Sequence, residues 1–213
     1  MTPTTLSGRV ALVTGGGRGI GKAISLALAD AGCDVAVNYV SREADARATV
    51  DAITTKGRRA LAAAGDVSKS ADVTALVAAV ETGLGPVDIL VNNAGRVAFE
   101  SIDQMSEASW NEIIQVNLSS VFLMTQAVLP GMRARKWGRI INLTSVAAQA
   151  GSMMAVHYSA AKAGVIAATK SYARMLAKEG FTVKCGDVAV LLAGNAYITG
   201  QTIGVNGGMY LGS

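Results

Sequence analysis

Cysteine, histidine and proline are scarce in this chain. Its 213 residues include two cysteines, one histidine and three prolines. Two cysteines are too few for a disulfide framework, so Cys33 and Cys185 are predicted to be small core residues of a protein that folds in a reducing compartment. No metal site is predicted.

Long apolar runs and a strong charge of either sign are also missing. No uninterrupted apolar stretch approaches the roughly 18 residues of a membrane-spanning helix, and the first six residues have no basic or apolar segment typical of a secretion signal. The net charge of +4, from 19 basic and 15 acidic residues, is mild and dispersed, whereas nucleic-acid binding usually needs a clustered basic stripe. We therefore predict a cytoplasmic protein that binds neither membranes nor nucleic acid and suits phosphorylated cofactors or an acidic partner.

Apolar residues and glycine dominate the composition instead. Hydrophobic residues make up 51% of the chain and glycines number 24, which is typical of a buried parallel sheet covered by helices. Because apolar runs of strand length alternate with helical patterns throughout, we predict one α/β domain over residues 1–213, with a doubly wound, mostly parallel, Rossmann-like sheet and helices on both faces. The predicted strands are 9–14, 34–39, a run ending at 64–67, 87–91 and 138–143. The predicted helices are 22–29, 42–56, 71–82, 107–135 and 156–179.

A glycine-rich turn follows the first predicted strand. Residues 14–21 read Thr-Gly-Gly-Gly-Arg-Gly-Ile-Gly and lead into a helical pattern. A strand, a glycine turn and a helix start allow a pyrophosphate to approach free backbone N–H groups at the positive end of the helix. Glycine is needed because a Cβ would block this approach or forbid a positive φ. The spacing of the glycines differs from the common Gly-x-Gly-x-x-Gly. The prediction of a dinucleotide site therefore depends on the position of this turn directly after a buried strand.

The end of the second predicted strand bears on the choice of nicotinamide cofactor. An acid at this position grips the ribose 2′-OH of NAD, whereas a nearby arginine suits the 2′-phosphate of NADP. This strand ends near Asn38 rather than an acid, with Arg42 just beyond it and Arg18 in the glycine turn. Because a guanidinium binds a phosphate bidentately, the pattern favours NADP(H). The alternative is that both arginines merely face solvent.

Polar residues also follow the third and fourth predicted strands. Asp66 lies where a strand meets the crevice, where it either accepts from an adenine amino group or caps the loop before Ser70, the predicted N-cap of the next helix. Asn92-Asn93-Ala94-Gly95 follows the fourth strand. Its amides and small residues allow a flat ring to approach and tie neighbouring strands together, although a turn that needs Asn and Gly is the preferred explanation when this segment is considered alone.

Two long helices are predicted in the second half of the chain. The helix at 107–135 has apolar residues on more than one face, so we expect the sheet to cover one side and a partner subunit another. Asn117 lies inside it and, as a polar residue of modest helix propensity, is a functional candidate. Pro130 is expected to kink this helix or mark its end. Small residues along the helix at 156–179 predict close helix contact across a two-fold axis.

One turn of the helix at 156–179 holds the pair on which the functional prediction depends. Tyr158 and Lys162 are four residues apart, so a phenol and an ammonium lie on the same helix face. A neighbouring cation favours the ionised phenol and so tunes it as a proton donor. Carbonyl reduction needs such a donor because the oxygen gains negative charge as hydride reaches the carbon. Pairs at this spacing also arise by chance, so the pair is interpreted with its neighbours.

Taken together, these motifs resemble those of the short-chain dehydrogenase/reductase family. They are Thr-Gly-x-x-x-Gly-x-Gly from Thr14, Asn-Asn-Ala-Gly from Asn92, a serine (Ser145) 13 residues before the tyrosine, and Tyr-x-x-x-Lys from Tyr158. The resemblance extends from about residue 7 to 183 and resumes near 194. It implies an oxidoreductase that uses a nicotinamide cofactor.

The family resemblance also implies a role for each site residue. Tyr158 is expected to be the general acid, Ser145 to orient the carbonyl, and Lys162 to assist the phenol and hold the nicotinamide ribose. Asn117 matches the helix-borne asparagine that positions water leading to the lysine. The only histidine, His157, lies beside Tyr158 on another side of the helix and is assigned no role. The implied cofactor-binding residues are Gly15, Arg18, Gly19, Ile20, Gly21, Asn38, Arg42, Asp66, Val67, Asn93, Ala94, Gly95, Tyr158 and Lys162.

Within the family, residues 196–201 and 205–210 are similar to those of β-ketoacyl-acyl-carrier-protein reductases. This likeness implies NADPH-dependent reduction of a 3-oxoacyl thioester, on acyl carrier protein or coenzyme A, and a homotetramer formed through the helices at 107–135 and 156–179. Lys136 and Arg174 match basic positions that hold the acidic carrier protein. Other alcohol, polyol and ketone dehydrogenases share the scaffold, and a non-catalytic cofactor-sensing scaffold is a further alternative.

The chain departs from the family pattern in its last third. There the family continues from a strand into a Pro-Gly turn and a substrate-covering lid of several dozen residues, whereas here Val183 is followed by Lys-Cys-Gly-Asp. We predict that a lid is missing from the sequence near residues 183–187. Without it, the nicotinamide side of the crevice is expected to be open to water, which hydride transfer tolerates poorly.

Overall fold

The alternating apolar runs and helical patterns form a layered α/β fold. The computed structural model describes residues 6–179, 181–186, 193 and 202–203. Within them the strands form one parallel sheet in the order β3-β2-β1-β4-β5-β6-β7. The strands are β1 (Val10–Val13), β2 (Asp34–Tyr39), β3 (Ala60–Ala64), β4 (Ile89–Asn92), β5 (Gly138–Asn142), β6 (Phe181–Gly186) and β7 (Thr202–Ile203). The order reverses between β1 and β4, and such a switch point opens a crevice at the carboxyl ends of the strands.

Helices connect successive strands and cover the sheet. They are α1 (Gly19–Asp30), α2 (Glu43–Thr55), α3 (Ser70–Gly83), α4 (Glu107–Ile114), α5 (Ser120–Arg135), α6 (Ala147–Ala150) and α7 (Val156–Leu176). A π-helical turn, Gln115–Ser119, joins α4 to α5, and a 3-10 turn, Ala177–Glu179, ends the segment that begins with α7. The predicted fold class is therefore confirmed.

The sheet is buried on both faces, which explains why its strands read as continuous apolar runs. In β1, Leu12 belongs to one core cluster, with α3 and α5, whereas Val13 belongs to another, with α1. Val10–Val13 are all buried. Because successive side chains of a strand point to opposite faces, both faces need an apolar cover.

The segment predicted as one helix over 107–135 is helical throughout but changes its winding at the centre. Its middle turn is π-helical, and Asn117 within that turn donates from Nδ2 to the carbonyl oxygen of Ile113 at 3.0 Å. Pro130 lies inside α5, which continues to Arg135. In length and mean hydropathy the segment would suit a membrane-spanning helix, yet Met124 and its neighbours on one side pack into the core beneath the sheet.

At least one of the small residues on α7 allows close packing within this chain. A Cβ on Gly164 would lie 2.8 Å from Cδ2 of Leu118, so this glycine allows α7 to pack closely on the π-helical turn. The predicted N-cap Ser70 is instead the first residue of α3, and Lys69 occupies the cap position. Cys33 is buried, as predicted for a small core residue, and its burial raises the pKa of the thiol to about 12.

Strand β6 occupies the region of the predicted missing lid. It runs through Val183 and Lys184, which pair with Ile140 and Ile141 of β5. Residue 187 and the segments 196–201 and 205–210 lie outside the described residues. The missing lid stays a prediction.

Candidate active site

A cavity of about 560 Å³ lies at the carboxyl ends of the central strands, beside the switch point between β1 and β4. It gathers residues from the glycine turn, from the ends of β2 and β3, and from the segment after β4. Every predicted cofactor-binding residue outside α7 lines it: Gly15, Arg18, Gly19, Ile20, Gly21, Asn38, Arg42, Asp66, Val67, Asn93, Ala94 and Gly95. Residues far apart in sequence thus meet at one site.

The glycine turn is shaped by close backbone contacts. Gly15 has a φ of +60°, which a residue with a side chain rarely adopts. A Cβ on Gly21 would lie 2.3 Å from the carbonyl oxygen of Gly15 and 2.5 Å from Nδ2 of Asn93. At Gly21 the turn therefore leaves room for backbone alone, and it presents the start of α1 to the cavity, which suits a pyrophosphate.

Thr14 and Asn93 hold the glycine turn against the segment after β4. The Thr14 hydroxyl accepts from the backbone N–H groups of Asn93 and Ala94, both at 2.9 Å, and donates to the Val91 carbonyl oxygen. Asn93 returns a bond from Nδ2 to the Thr14 carbonyl oxygen at 2.8 Å. The expectation that these amides tie neighbouring strands together is confirmed.

Asn38 and Asp66 line the cavity, but their side chains bind this chain's own backbone and loops. Asn38 accepts from the Gly15 N–H at Oδ1 and donates from Nδ2 to the Gly65 carbonyl oxygen. Asp66 accepts at Oδ1 from the backbone N–H and hydroxyl of Ser68. The hydrogen bonds of Ser68 and the charge of Lys69 outweigh burial and lower the pKa of Asp66. Two roles are left open for Asp66 by the sequence, and the hydrogen bonds to Ser68 are those expected for the role of capping the loop.

Two exposed arginines lie at the rim of the cavity. Arg18 precedes α1, Arg42 occupies the N-cap position of α2, and both line the cavity. Asn38 is the buried residue at the end of β2 between them, where a carboxylate would repel a phosphate. The rim beside α2 therefore combines two guanidinium groups and a neutral strand end with one carboxylate, that of Asp45 in the first turn of α2.

Tyr158 and Lys162 lie one turn apart near the start of α7. The Lys162 ammonium is 5.8 Å from the centre of the Tyr158 ring and donates to the Leu143 carbonyl oxygen at 3.0 Å. Lys162 is buried, with 4% of its surface exposed, whereas Tyr158 is half-buried. A buried ammonium beside a reachable phenol is an arrangement that supports proton donation.

Asn117 joins the π-helical turn to the segment after β4. Its Nδ2 donates to the Arg96 carbonyl oxygen at 2.7 Å, and its Oδ1 accepts from the Arg96 N–H at 3.2 Å. A Cβ on Gly95 would lie 2.7 Å from Oδ1 of Asn117 and 3.4 Å from Nζ of Lys162. Gly95 thus allows the amide and the ammonium to converge at the inner end of the cavity. A π-helical turn frequently marks a functional site.

Ser145 follows β5 on the segment that packs against α7. Its hydroxyl accepts from the Ala147 N–H at 3.2 Å, and the residue is half-buried. The preceding Thr144 donates from its hydroxyl to the Lys162 carbonyl oxygen at 2.9 Å. This bond fixes the end of β5 to the turn of α7 that carries the lysine.

One residue with no predicted role is in direct contact with this turn. His157 is fully buried, and its Nδ1 accepts from the backbone N–H of Tyr158 at 2.9 Å. Its Nε2 lies 3.9 Å from Oε2 of Glu100. The sequence contains one indication of this contact. Ala155, the residue before α7, has no side-chain acceptor for the N–H groups of the first turn of the helix.

Known proteins resemble this chain in sequence and in fold. The family model of the short chain dehydrogenases matches residues 9–193. A crystal structure of a protein from Sinorhizobium meliloti 1021, named as a short-chain alcohol dehydrogenase, superposes with a TM-score of 0.90 at 33% identity, covering 94% of this chain and 96% of that one.

Curated relatives extend the similarity in sequence. The 3-oxoacyl-[acyl-carrier-protein] reductase FabG of Staphylococcus epidermidis is 38% identical over 240 positions, covering 94% of this chain and 98% of its own length. Nodulation protein G of Azospirillum brasilense is 47% identical over 178 positions, covering 84% and 72%. Since 94% of the 213 residues is about 200, some 40 of the 240 positions aligned with the reductase have no counterpart in this chain.

Proposed function

The chain belongs to the short-chain dehydrogenase family, and from this premise we propose that it is an NADPH-dependent reductase of 3-oxoacyl thioesters. It is an oxidoreductase of that family and works with a nicotinamide cofactor. The finer proposal adds the phosphorylated cofactor and the acyl thioester. One observation carries it: Lys162 and Asn117 converge on Gly95, which lines a cavity rimmed by Arg18 and Arg42, and Tyr158 lies beside Lys162 on α7.

The residues that line the cavity fit a dinucleotide. The glycine turn leaves no space for a side chain at Gly21 and lines the cavity, so its N–H groups and the start of α1 would hold the pyrophosphate. The segment Asn93–Gly95, held by Thr14, would form the wall beside the nicotinamide ribose, with Lys162 behind Gly95. When bound, the reduced nicotinamide supplies a hydride to the carbonyl carbon.

The chain's own residues supply the proton and the orientation. The Tyr158 hydroxyl donates its proton to the carbonyl oxygen, where negative charge develops. The Ser145 hydroxyl donates to the same oxygen and orients the carbonyl. Lys162, held by the Leu143 carbonyl oxygen, lies one helical turn from the phenol, where its positive charge offsets the negative charge that the proton transfer leaves on the phenol oxygen. Asn117 holds the backbone of Arg96 and so keeps the wall of the cavity in place.

The proposed preference for NADPH rests on the charges at the cavity rim. Arg18 and Arg42 line this part of the cavity, and neither is buried. A guanidinium binds a phosphate through two parallel hydrogen bonds, and the neutral Asn38 spares that phosphate the repulsion of a carboxylate. A 2′-phosphate between the two arginines would therefore be bound more tightly than a 2′-hydroxyl.

The proposed 3-oxoacyl substrate draws support from the Staphylococcus reductase, which is 38% identical over nearly its whole length. If the acyl group arrives on a carrier protein, Lys136 and Arg174 are the basic residues proposed to dock it. Both are exposed and lie at the carboxyl-terminal ends of α5 and α7. Arg174 lies 16 residues after Tyr158, about 24 Å along one helix at 1.5 Å per residue.

The long helices α5 and α7 carry exposed apolar side chains that bear on the assembly of the protein. We propose a cytoplasmic homotetramer in which α4, α5 and α7 contact other copies. Phe122 is 54% exposed and Met175 is 70% exposed on these helices, and an exposed large apolar side chain gains by burial against a second subunit. Ala163 and Ala167 on α7 are also exposed and are small enough to permit a close helix crossing.

An activity panel tests the function. The purified full-length chain is assayed with acetoacetyl thioesters of coenzyme A and of acyl carrier protein, and with polyols and simple ketones, each with both nicotinamides. We expect NADPH oxidation with the thioesters at the highest kcat/KM. Faster turnover of alcohols or polyols would favour the alternative of a short-chain alcohol dehydrogenase, which the Sinorhizobium structure supports. Cofactor binding with no turnover of any carbonyl would favour a non-catalytic scaffold.

A further inference from the structure

His157 is the buried neighbour of the proposed general acid, and both of its ring nitrogens face polar atoms. Its Nδ1 accepts from the Tyr158 backbone N–H at 2.9 Å. Its Nε2 faces Oε2 of Glu100 at 3.9 Å, a separation longer than a hydrogen bond. Nε2 of His157 and Oε2 of Glu100 are both buried, and neither has a hydrogen-bond partner within the part of the chain that the structure describes.

The start of α7 explains why an acceptor is needed at Nδ1. The first N–H groups of a helix have no partner inside the helix, and an N-cap side chain usually accepts from the second or third of them. Here the N-cap position holds Ala155, which has no side-chain acceptor, and Tyr158 is the third residue of the helix. The imidazole of His157 satisfies this N–H from inside the first turn.

The hydrogen bond also fixes the tautomer of the ring. An Nδ1 that accepts a hydrogen bond carries no proton, so a neutral imidazole carries its proton on Nε2. That N–H then points toward the Glu100 carboxylate. A proton on Nδ1 would face the Tyr158 N–H and break the bond that caps the helix.

Glu100 connects this histidine to the wall of the cavity. It lies in the segment between β4 and α4 that also holds Asn93, Ala94 and Gly95. Its Oε1 accepts from the Ser109 hydroxyl of α4 at 2.6 Å. Its backbone N–H donates to the Met154 carbonyl oxygen, just before α7, at 2.8 Å. The segment that forms the cavity wall is therefore bound to the chain just before α7, three residues before His157.

We infer that His157 is a positioning residue: its Nδ1 fixes the backbone of Tyr158, and its Nε2–H faces Glu100, so that the phenol keeps a set position relative to the segment holding Asn93–Gly95. The inference rests on the proposed function, in which Tyr158 donates the proton. His157 touches neither substrate nor cofactor in this arrangement. It acts through the tyrosine.

Two substitutions of His157 distinguish the roles of its two ring nitrogens. In His157→Asn, the amide oxygen occupies the place of Nδ1 and still accepts from Tyr158. In His157→Gln, the longer side chain puts its amide nearer the place of Nε2 and leaves the Tyr158 N–H without its acceptor. We expect His157→Asn to keep kcat within about threefold of the wild type and His157→Gln to lose about tenfold, with KM for NADPH unchanged in both.

A matched control separates positioning from stability. Thr169 is buried on the same helix, about three turns further along, where its hydroxyl accepts from Nδ2 of Asn142. Thr169→Val is expected to lower Tm and leave kcat unchanged. The inference is overturned if His157→Gln keeps the wild-type kcat, if His157→Asn is impaired as much as His157→Gln, or if Thr169→Val loses kcat to the same extent.

A measurement without turnover tests the inference on the wild-type chain. Because His157 is the only histidine in the sequence, untagged protein labelled with 15N-histidine gives the signals of a single imidazole. We expect an unprotonated Nδ1 and a protonated Nε2 at neutral pH. The opposite tautomer, or a doubly protonated ring, would overturn the inference. Failure of the wild type to reduce any ketone would instead overturn the proposed function, so the two failures are distinguishable.

Discussion

The ammonium of Lys162 lies 5.8 Å from the centre of the Tyr158 ring and is fixed there by a hydrogen bond to the carbonyl oxygen of Leu143. This bond joins the end of β5 to the first turns of α7. The Thr144 hydroxyl adds a second bond between the same two elements by donating to the Lys162 carbonyl oxygen. The lysine is therefore held by the sheet and is not free to follow the phenol. Tyr158, the proposed proton donor, therefore lies one turn before a lysine whose ammonium and backbone carbonyl are both bound to the segment that follows β5.

Replacing Tyr158 by phenylalanine tests the assignment of the proton donor. The change removes only the hydroxyl, and a positioned general acid contributes about 10²- to 10⁴-fold to a rate. We expect kcat for ketone reduction to fall by at least about 10²-fold, with the Kd for NADPH, measured by fluorescence titration, within about threefold of the wild type. A variant that kept its turnover would refute Tyr158 as the acid.

Replacing Arg42 by alanine tests the cofactor preference. If the guanidinium binds the 2′-phosphate, its loss removes a charge-assisted hydrogen bond, which corresponds to about tenfold or more in Kd. We expect NADPH to bind about tenfold more weakly, with little change for NADH. Arg47→Ala is the matched control, because Arg47 lies on the same helix, pairs with Glu43 and does not line the cavity. Equal losses for both cofactors would contradict the proposed phosphate contact.

Replacing Gly21 by alanine tests the fit of the glycine turn. The new Cβ would lie 2.3 Å from the Gly15 carbonyl oxygen, a backbone atom that cannot move without distorting the turn. We expect the free energy of unfolding in urea to fall by about 3 kcal/mol and NADPH binding to be lost. In the control, Gly8→Ala, the new Cβ has no atom within 4 Å, although φ is +78°, so the cost is about 1 kcal/mol and binding is kept. Similar effects in both variants would show that clash does not explain the need for Gly21.

The parts of the site that obey a local rule could be predicted from the sequence. The glycine turn follows a buried strand, Asn93–Gly95 follows another, and the carboxyl ends of parallel strands meet at one edge, so their meeting around one cavity follows from the order of elements. The strand at 34–39 was predicted with its observed bounds because the apolar run is closed by polar residues on both sides.

Features that depend on side chains from distant segments could not be predicted. Within the π-helical turn, the Asn117 amide binds the backbone of Arg96, 21 residues earlier in the chain, a contact that the local sequence pattern does not reveal. Asn38 is predicted as a cofactor ligand from its position alone, yet its amide binds Gly15 and Gly65. The contact of His157 with Tyr158 is local, but its importance depends on Glu100, which only the fold brings near.

A buried carboxylate at the start of β2 gives the last prediction. Asp34 accepts at Oδ1 from Nη2 of Arg58 at 2.7 Å and at Oδ2 from Nε of Arg59 at 2.8 Å. Burial alone would raise the pKa of Asp34, but the hydrogen bonds and charges of Arg59 and Arg58 outweigh it and lower the pKa. Because the charged form is stabilised in the folded chain, Asp34 contributes stability above its unfolded pKa of about 3.9, and this contribution is lost as pH falls through the lower folded value.

Asp34→Asn is therefore expected to reduce the free energy of unfolding by about 2 kcal/mol at pH 7, since it removes the charged acceptor of both arginines. The difference from the wild type should begin to shrink as the pH falls below about 4, where the unfolded carboxylate takes up its proton, and should be smallest below the lower folded pKa, where the carboxylate is protonated in both states. Urea unfolding of the wild type and the variant at several pH values measures this difference in the free energy of unfolding. Asp51→Asn, which removes a carboxylate at an exposed position of α2, is the control and is expected to change the free energy of unfolding at pH 7 by no more than about 0.5 kcal/mol. A constant difference between wild type and Asp34→Asn from pH 7 down to pH 3 would contradict a stabilised carboxylate, because the loss would then come from packing alone.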